Sequence, residues 1–303
     1  MAGLAAEEAN PDAGGLVLRR LADQAAQLAA QEPGVRAADP EAVHDMRVAT
    51  RRLRSALGTF RPVLLRARTA PLRDDLRRVG RRLGQARDAD VSRAGLGDLL
   101  AEVPAGLVIG PVRTRLDADR GSAYEAALAR VVEDLDGPDW AALRARVAEL
   151  VADPPLTSAA SRGIDEVLLP RVDRAFRRLS RAWRAARAEQ SGAQRDAALH
   201  EARKEARQAR YAAETLAPVV GQDAVRSARA AERVQDLLGS HQDLVVLRGV
   251  LRRAAVEAPL AGGNAFTYGL LHDQARVRAL ELEQQLPHLA RRATRPGRRA
   301  WMR

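Results

Sequence analysis

The sequence predicts an all-α fold made of two related halves, and three observations carry that expectation. Apolar residues recur with helical spacing along nearly the whole chain of 303 residues. Hydrophobic residues make up 46% but aromatics only 3%, so the core must come from Leu, Ala and Val. Leu, Ala and Arg favour helix, and few β-branched or aromatic runs exist to make strands. Finally, a segment recurs. His44-Asp-Met-Arg47-Val-Ala-Thr-Arg51-Arg52-Leu-Arg54 is echoed 156 residues later by His200-Glu-Ala-Arg203-Lys204-Glu-Ala-Arg207-Gln-Ala-Arg210-Tyr211. A second echo, Leu83-Gly84 to Asp88 against Leu238-Gly239 to Asp243, follows in the same order at an offset of 155. Two ordered matches at nearly one offset indicate duplication.

The elements follow in order. Residues 1–14 read as a flexible N-terminus, without the basic n-region of a secretory signal. Helices are expected at roughly 15–31, 40–60, 70–87, 89–101, 105–119, 121–135 and 139–151. Asp39-Pro40-Glu41 supplies an N-cap, a first-turn proline and a carboxylate near the positive helix end. Pro62 ends that helix, and Thr69-Ala70-Pro71 starts the next. The stretch 153–161, rich in Pro and Ser, reads as a linker between half one (15–152) and half two (162–290). Further helices are expected at roughly 163–189, 194–217, 222–238, 241–256 and 264–285, with Pro218 and Gly221 closing the one that contains His200. Residues 291–303 read as a loose basic tail.

The chain lacks cysteine, which excludes disulfides, thiol nucleophiles and Cys-type zinc sites. No apolar run approaches the roughly 18 residues of a membrane span. The expected location is cytoplasmic. Lys204 is the only lysine among 50 basic residues, and against 39 acids the net charge is +11. Arg-for-Lys usage can reflect genome composition, but clustering cannot. Residues 44–93 carry +9, residues 171–210 carry +7 and the tail carries +6, so the remainder is net acidic. A positive surface with such an address favours anionic partners.

In both copies of the repeat, His stands at position 0 and Arg at +3, +7 and +10. On a helix these positions fall within an arc of about 80° and form a stripe about 15 Å long. His44, Arg47, Arg51 and Arg54 make the first stripe; His200, Arg203, Arg207 and Arg210 make the second. An apolar seam runs beside each: Val43, Met46, Leu53, Leu57 and Phe60, and then Leu199, Ala202, Ala206, Ala209, Ala213 and Leu216. A solvated face normally interleaves acids at i,i+4, and these rows contain none. Two neighbouring segments add further arginines, among them Arg73, Arg77 and Arg81, and Arg171, Arg174 and Arg178. Both rows therefore read as anion sites. His241, His272 and His288 read instead as structural histidines.

These residues resemble a known family. The His44–Arg54 segment resembles the signature helix of the CHAD family, the conserved histidine α-helical domain; Leu83–Val91 and His200–Tyr211 resemble its later signatures. The resemblance spans roughly 15–290. It implies two bundles of about four helices related by a pseudo-twofold axis, with both stripes facing a central basic groove. It also implies the ligand, inorganic polyphosphate, with phosphate or sulfate able to stand in for it, no cofactor, and an association with polyphosphate granules. The residues it brings forward are His44, Arg47, Arg51, Arg52, Arg54, His200, Arg203, Lys204, Arg207, Arg210 and Tyr211. No Glu-x-Glu-x-Lys strand motif occurs, so a stand-alone CHAD protein is expected. Polyphosphate offers oxygens for bidentate guanidinium contacts and no rings for stacking, which suits an aromatic-poor chain.

Two alternatives compete. A high-pI helical protein meets the electrostatic requirement for nucleic acid, but no reader motif occurs. A metal-dependent phosphohydrolase could use His44-Asp45 or His272-Asp273, though further ligands are not evident, and neither GxxxxGK nor GxSxG is present. Asp88, Asp90 and Asp243 read as N-caps or as partners of the arginine rows.

Overall fold

The computed structural model describes residues 12–302, so most of the expected flexible N-terminus lies outside the described residues. What is described of it is ordered: Asp12 caps the first helix by accepting from Gly15 N, and Ala13 and Gly14 are buried. The chain runs through α1 (Ala13–Ala30), α2 (Glu32–Arg36), α3 (Pro40–Thr59), α4 (Arg66–Ala101), α5 (Val112–Asp136), α6 (Pro138–Ala152), α7 (Ile164–Val167), α8 (Leu169–Ala188), α9 (Gly192–Val220), α10 (Gln222–Leu260) and α11 (Phe266–Thr294). Among the described residues there is no strand, only an isolated bridge between Leu64 and Leu156. The fold is all-α.

The main differences from the sequence reading are fusions. α4 joins the helices expected at 70–87 and 89–101, α5 extends through Gly121, and α10 joins 222–238 and 241–256. Asp88 and Gly239 fall where the expected helices divide, yet both lie in helix interior, which tolerates glycine at about 1 kcal/mol. Asp88, Asp90 and Asp243 therefore lie inside continuous helices and cap nothing. α4 also starts before Pro71, which sits in its second turn, while residues 105–107 form a 3₁₀ turn rather than joining α5.

α3 begins as its sequence predicts, with Asp39 accepting from Glu41 N at 2.9 Å and Pro40 in the first turn. α9 ends at Gly221, whose φ of 74° suits a residue without Cβ. The stretch 153–161 is pinned to the chain after α3, with Leu65 N donating to Pro155 O and Thr157 N to Val63 O.

The basic tail differs most. α11 continues to Thr294, and Pro296–Met302 forms a 3₁₀ helix. Trp301 Nε1 donates to Ser227 Oγ at 3.0 Å, Arg298 Nη1 donates to Arg226 O at 2.9 Å, and Met302 is buried. Apolar anchors outweigh the charge pattern, and the tail docks rather than floats.

The main core takes in α1, α3, α6, α8, α9 and the near halves of α4, α5 and α10, together with the end of α11. The long helices carry a second core at their far end, around Leu99, Leu116, Leu251 and Leu271. The apolar seams of α3 and α9 are buried throughout, and Ala202, Ala206, Ala209 and Ala213 let neighbouring helices approach α9 closely. That packing leaves Arg51, Arg54 and Arg207, beside those seams, to line a common space.

Candidate anion-binding site

α3 and α9 lie against each other through Gln208, whose Nε2 donates to Ser55 O at 3.4 Å and also bonds Thr59 Oγ1. A cleft of about 350 Å³ opens beside that contact. It is lined by Arg51, Arg54, Arg61 and Arg73 on one side and by Arg171, Arg174, Arg178 and Arg207 on the other, with Tyr211 at the wall. Among the described residues no carboxylate lines it. Among the described residues, of the eight guanidiniums only Arg178 has a carboxylate within 4 Å, that of Glu205. Arg61 was not singled out from the sequence; its position two residues after the α3 terminus gives it no periodic signal.

Burial and like-charged neighbours depress four of these guanidiniums. Burial, then Arg51, Arg203 and Arg47, pull the Arg207 guanidinium down to about 10, still charged at neutral pH. Burial followed by Arg77 and Arg73 lowers Arg54, and burial followed by Arg77 lowers Arg73. Arg171 is lowered by burial and by Arg174. Each shift means that the charged form is held at a cost that an anion would relieve. The Nε atoms of Arg51, Arg73 and Arg203 are buried donors without a protein acceptor, a costly state that an oxygen-rich ligand would relieve.

Glycines lie beneath the guanidiniums. An added Cβ at Gly84 would sit in ordinary contact with the Arg47 guanidinium at 3.6 Å, and at Gly239 with that of Arg203 at 3.4 Å. Gly80 stands in the same relation to Arg54 and Gly58 to Arg73. The second echo thus has a physical reading: in each copy its glycine lies under the +3 arginine.

Beyond Arg51 and Arg207 the site becomes mixed in sign. Arg47 pairs with Asp88 at 3.2 Å. Asp243 sits near Arg203, Arg47 and Arg87, yet burial, reinforced by Asp88, holds its carboxyl above the usual range. His44 is lowered by burial and by Arg87 and Arg51, and its Nδ1 has no partner. His200 Nδ1 instead lies 2.9 Å from Gln242 Oε1.

The remaining expected residues lie elsewhere. Arg52 and Arg210 stack over Tyr211 at 5.3 and 5.8 Å and bind Glu214, at 3.2 and 2.7 Å. Arg210 also binds Glu232 at 2.8 Å, and its pKa is raised, the hydrogen bond and charge of Glu214 outweighing burial. Lys204 is exposed and pairs with Glu201. Arg77 pairs with Asp74, and Arg81 lines a different cleft beside Trp140.

Among the described residues, three metal-capable side chains come together at Asp196, His241 and Glu283. His241 Nε2 is 3.1 Å from Glu283 Oε1, and Arg195 binds the same glutamate and the carbonyls of Ala186 and Glu189. Two carboxylates here face Arg195 and Arg248, so the group reads as a charge-balanced tie between α9, α10 and α11. His241 is thus a satisfied buried histidine. Neither His44-Asp45 nor His272-Asp273 belongs to this group.

Comparison with known proteins bears on this arrangement. The family model of the CHAD domain matches residues 19–252. Two uncharacterized proteins of Mycobacterium tuberculosis, from strains CDC 1551 and H37Rv, are each 36% identical over 292 residues. These cover 94% of this chain, which spans only 54% of their length. Among solved structures, PptA from Streptomyces chartreusis superposes with a TM-score of 0.75 at 22% identity, covering 92% of this chain and 99% of its own. The CHAD domain from the plant Ricinus communis gives 0.69 at 27%, covering 99% and 96%. No described helix is long and apolar enough to cross a membrane.

Proposed function

The chain belongs to the CHAD domain family, and on that premise we propose that its arginine-lined cleft binds inorganic polyphosphate without chemical turnover. One observation carries the reading: eight arginines converge on one cleft from α3, α4, α8 and α9 and the loop after α3, and no described carboxylate lines it. A ligand for such a cleft must be rich in oxygen, strongly anionic and able to meet many guanidiniums in succession. A linear phosphate polymer has those properties and needs no aromatic platform. Tyr211, the aromatic residue at the wall, is engaged by Arg52 and Arg210. The two His/Arg rows belong to pseudo-twofold-related halves, and the binding supports association with polyphosphate granules.

The test is a pair of calorimetric titrations at physiological salt, with long-chain polyphosphate and with duplex DNA matched in charge. Polyphosphate binds more tightly, and its affinity falls steeply with salt, by analogy with counterion release. Equal or weaker affinity for polyphosphate overturns the reading in favour of nucleic acid. Release of phosphate in the presence of Mg²⁺ or Mn²⁺ overturns its non-catalytic part.

A further inference from the structure

The arginines of α8 divide into two rows. Arg171, Arg174 and Arg178 line the cleft between the halves. Arg174, Arg177, Arg181 and Arg184 repeat the 0, +3, +7, +10 spacing on the adjoining face and line a second cleft, of about 560 Å³. Arg174 lines both. On the helix the two rows diverge from it by several tens of degrees to either side, and the second extends about 15 Å along the axis.

On several other exposed helix surfaces an arginine has an acid within its own helix: Arg36 has Glu32, Arg77 has Asp74, Arg226 has Asp223 and Arg276 has Asp273. On α8 only Arg177 does, through Asp173. Arg174, Arg181 and Arg184 have no carboxylate within 4 Å among the described residues, although like charges at such spacing repel.

The docked tail adds one more positive charge. Arg299 reaches the same cleft, 3.5 Å from the other oxygen of Asp173, and its Nε is buried without an acceptor. The hydrogen bonds of Arg298 and Trp301 and the burial of Met302 fix it there. The tail thus delivers a guanidinium to α8 in a set position, which a solubilising segment would not need.

We infer that the outer face of α8, completed by Arg299, is a second anion site, continuous with the first through Arg174, that takes the length of a polyphosphate strand emerging from the central cleft. The ligand assignment rests on the proposed function; the existence of a second anion site rests on the α8 geometry. A polymer with a charge at every repeat has no register to lose on leaving one row for the next. Once its middle is held, the second contact is intramolecular and adds affinity for long chains only.

The experiment compares R181A/R184A with the unaltered chain and with R113A/R130A, a control that removes two exposed arginines from α5. Each is titrated with tripolyphosphate, with long-chain polyphosphate and with duplex DNA, and circular dichroism confirms the fold. R181A/R184A is expected to weaken long-chain binding by about tenfold and to lower its salt slope by about two. Tripolyphosphate binding and the α5 control stay unchanged. Equal loss for short and long chains, or no loss beyond the control, overturns the inference. So does a loss confined to DNA, which assigns the face to nucleic acid. Failure of the central reading would look different: tripolyphosphate would bind an R51A/R207A variant normally.

Discussion

The two copies of the His/Arg helix share a spacing and part company in what their side chains meet. At +7 they agree, since Arg51 and Arg207 both face the cleft with no carboxylate within 4 Å among the described residues, and Arg51 lies close enough to help depress Arg207. At +10 they diverge. Arg54 lies over Gly80 among Arg73, Arg77 and Arg81, whereas Arg210 is held by Glu214 and Glu232. At position 0, His44 has an unpartnered ring nitrogen while His200 is tied to Gln242. The repeat places an arginine, and the carboxylates around it decide whether that arginine serves a ligand or the fold.

The largest effect is expected at the position where the two copies agree. R51A/R207A is expected to lose about 3–6 kcal/mol of polyphosphate affinity, charge-assisted contacts being worth about 1.5–3 kcal/mol each. Its melting temperature should hold or rise, because the variant removes mutual repulsion and leaves both apolar seams intact. Calorimetry and a thermal melt read both quantities. Normal affinity with an unchanged melt would mean that the +7 arginines do not face the ligand.

Much of this was legible in the sequence. The period of His44 to Arg54 and its echo at His200 identified both rows, and their seams proved buried. What was missed is partly local and partly distant. Glu214 stands four residues after Arg210, an i,i+4 acid just beyond the row, and with Glu232 on α10, which no spacing rule announces, it converts Arg210 into a structural group. Arg61 enters the cleft from a loop, where periodicity is silent. Gly239 falls where two expected helices divide because its local cost is visible, while its place beneath the Arg203 guanidinium is not. The tail's charge suggested looseness, while its two decisive residues, Trp301 and Met302, are anchors of a kind that composition hides.

The divergence at +10 gives the second prediction. R54A should cost about 1.5–3 kcal/mol of affinity and almost no stability. R210A should do the reverse, costing about 1 kcal/mol of stability as Glu214 keeps only Arg20 and Arg52, with a smaller effect on binding. Matching profiles for the two variants would erase the distinction between a ligand-facing and a structural copy.

The mixed-sign end offers a third test. Asp243 has a folded pKa above its ordinary value, so in the window between the two the native state holds more protons than the unfolded one. Stability contributed by this group is present at low pH and lost as pH rises through that window. D243N should therefore be more stable than the unaltered chain at neutral pH, and the difference should vanish in acid. Urea unfolding across pH reads it, and a constant difference would place the cause elsewhere.

The smallest expected effect tests the histidines. His44 is held below its usual 6.5 by burial and by Arg87 and Arg51. In the free protein its contribution to stability is present above that window and lost as pH falls towards the folded value. A polyanion against Arg51 offsets the very charges that depress His44, so binding raises its pKa and takes up part of a proton. Affinity should then increase modestly as pH falls from 7.5 to about 5.5, a range in which histidine changes charge. In H44Q the slope should flatten, with the difference from the unaltered chain smallest at the alkaline end of that range. Titrations in buffers of different ionisation enthalpy would detect the proton directly. An unchanged slope in H44Q would remove His44 from the ligand's reach and leave the arginines alone to define the site.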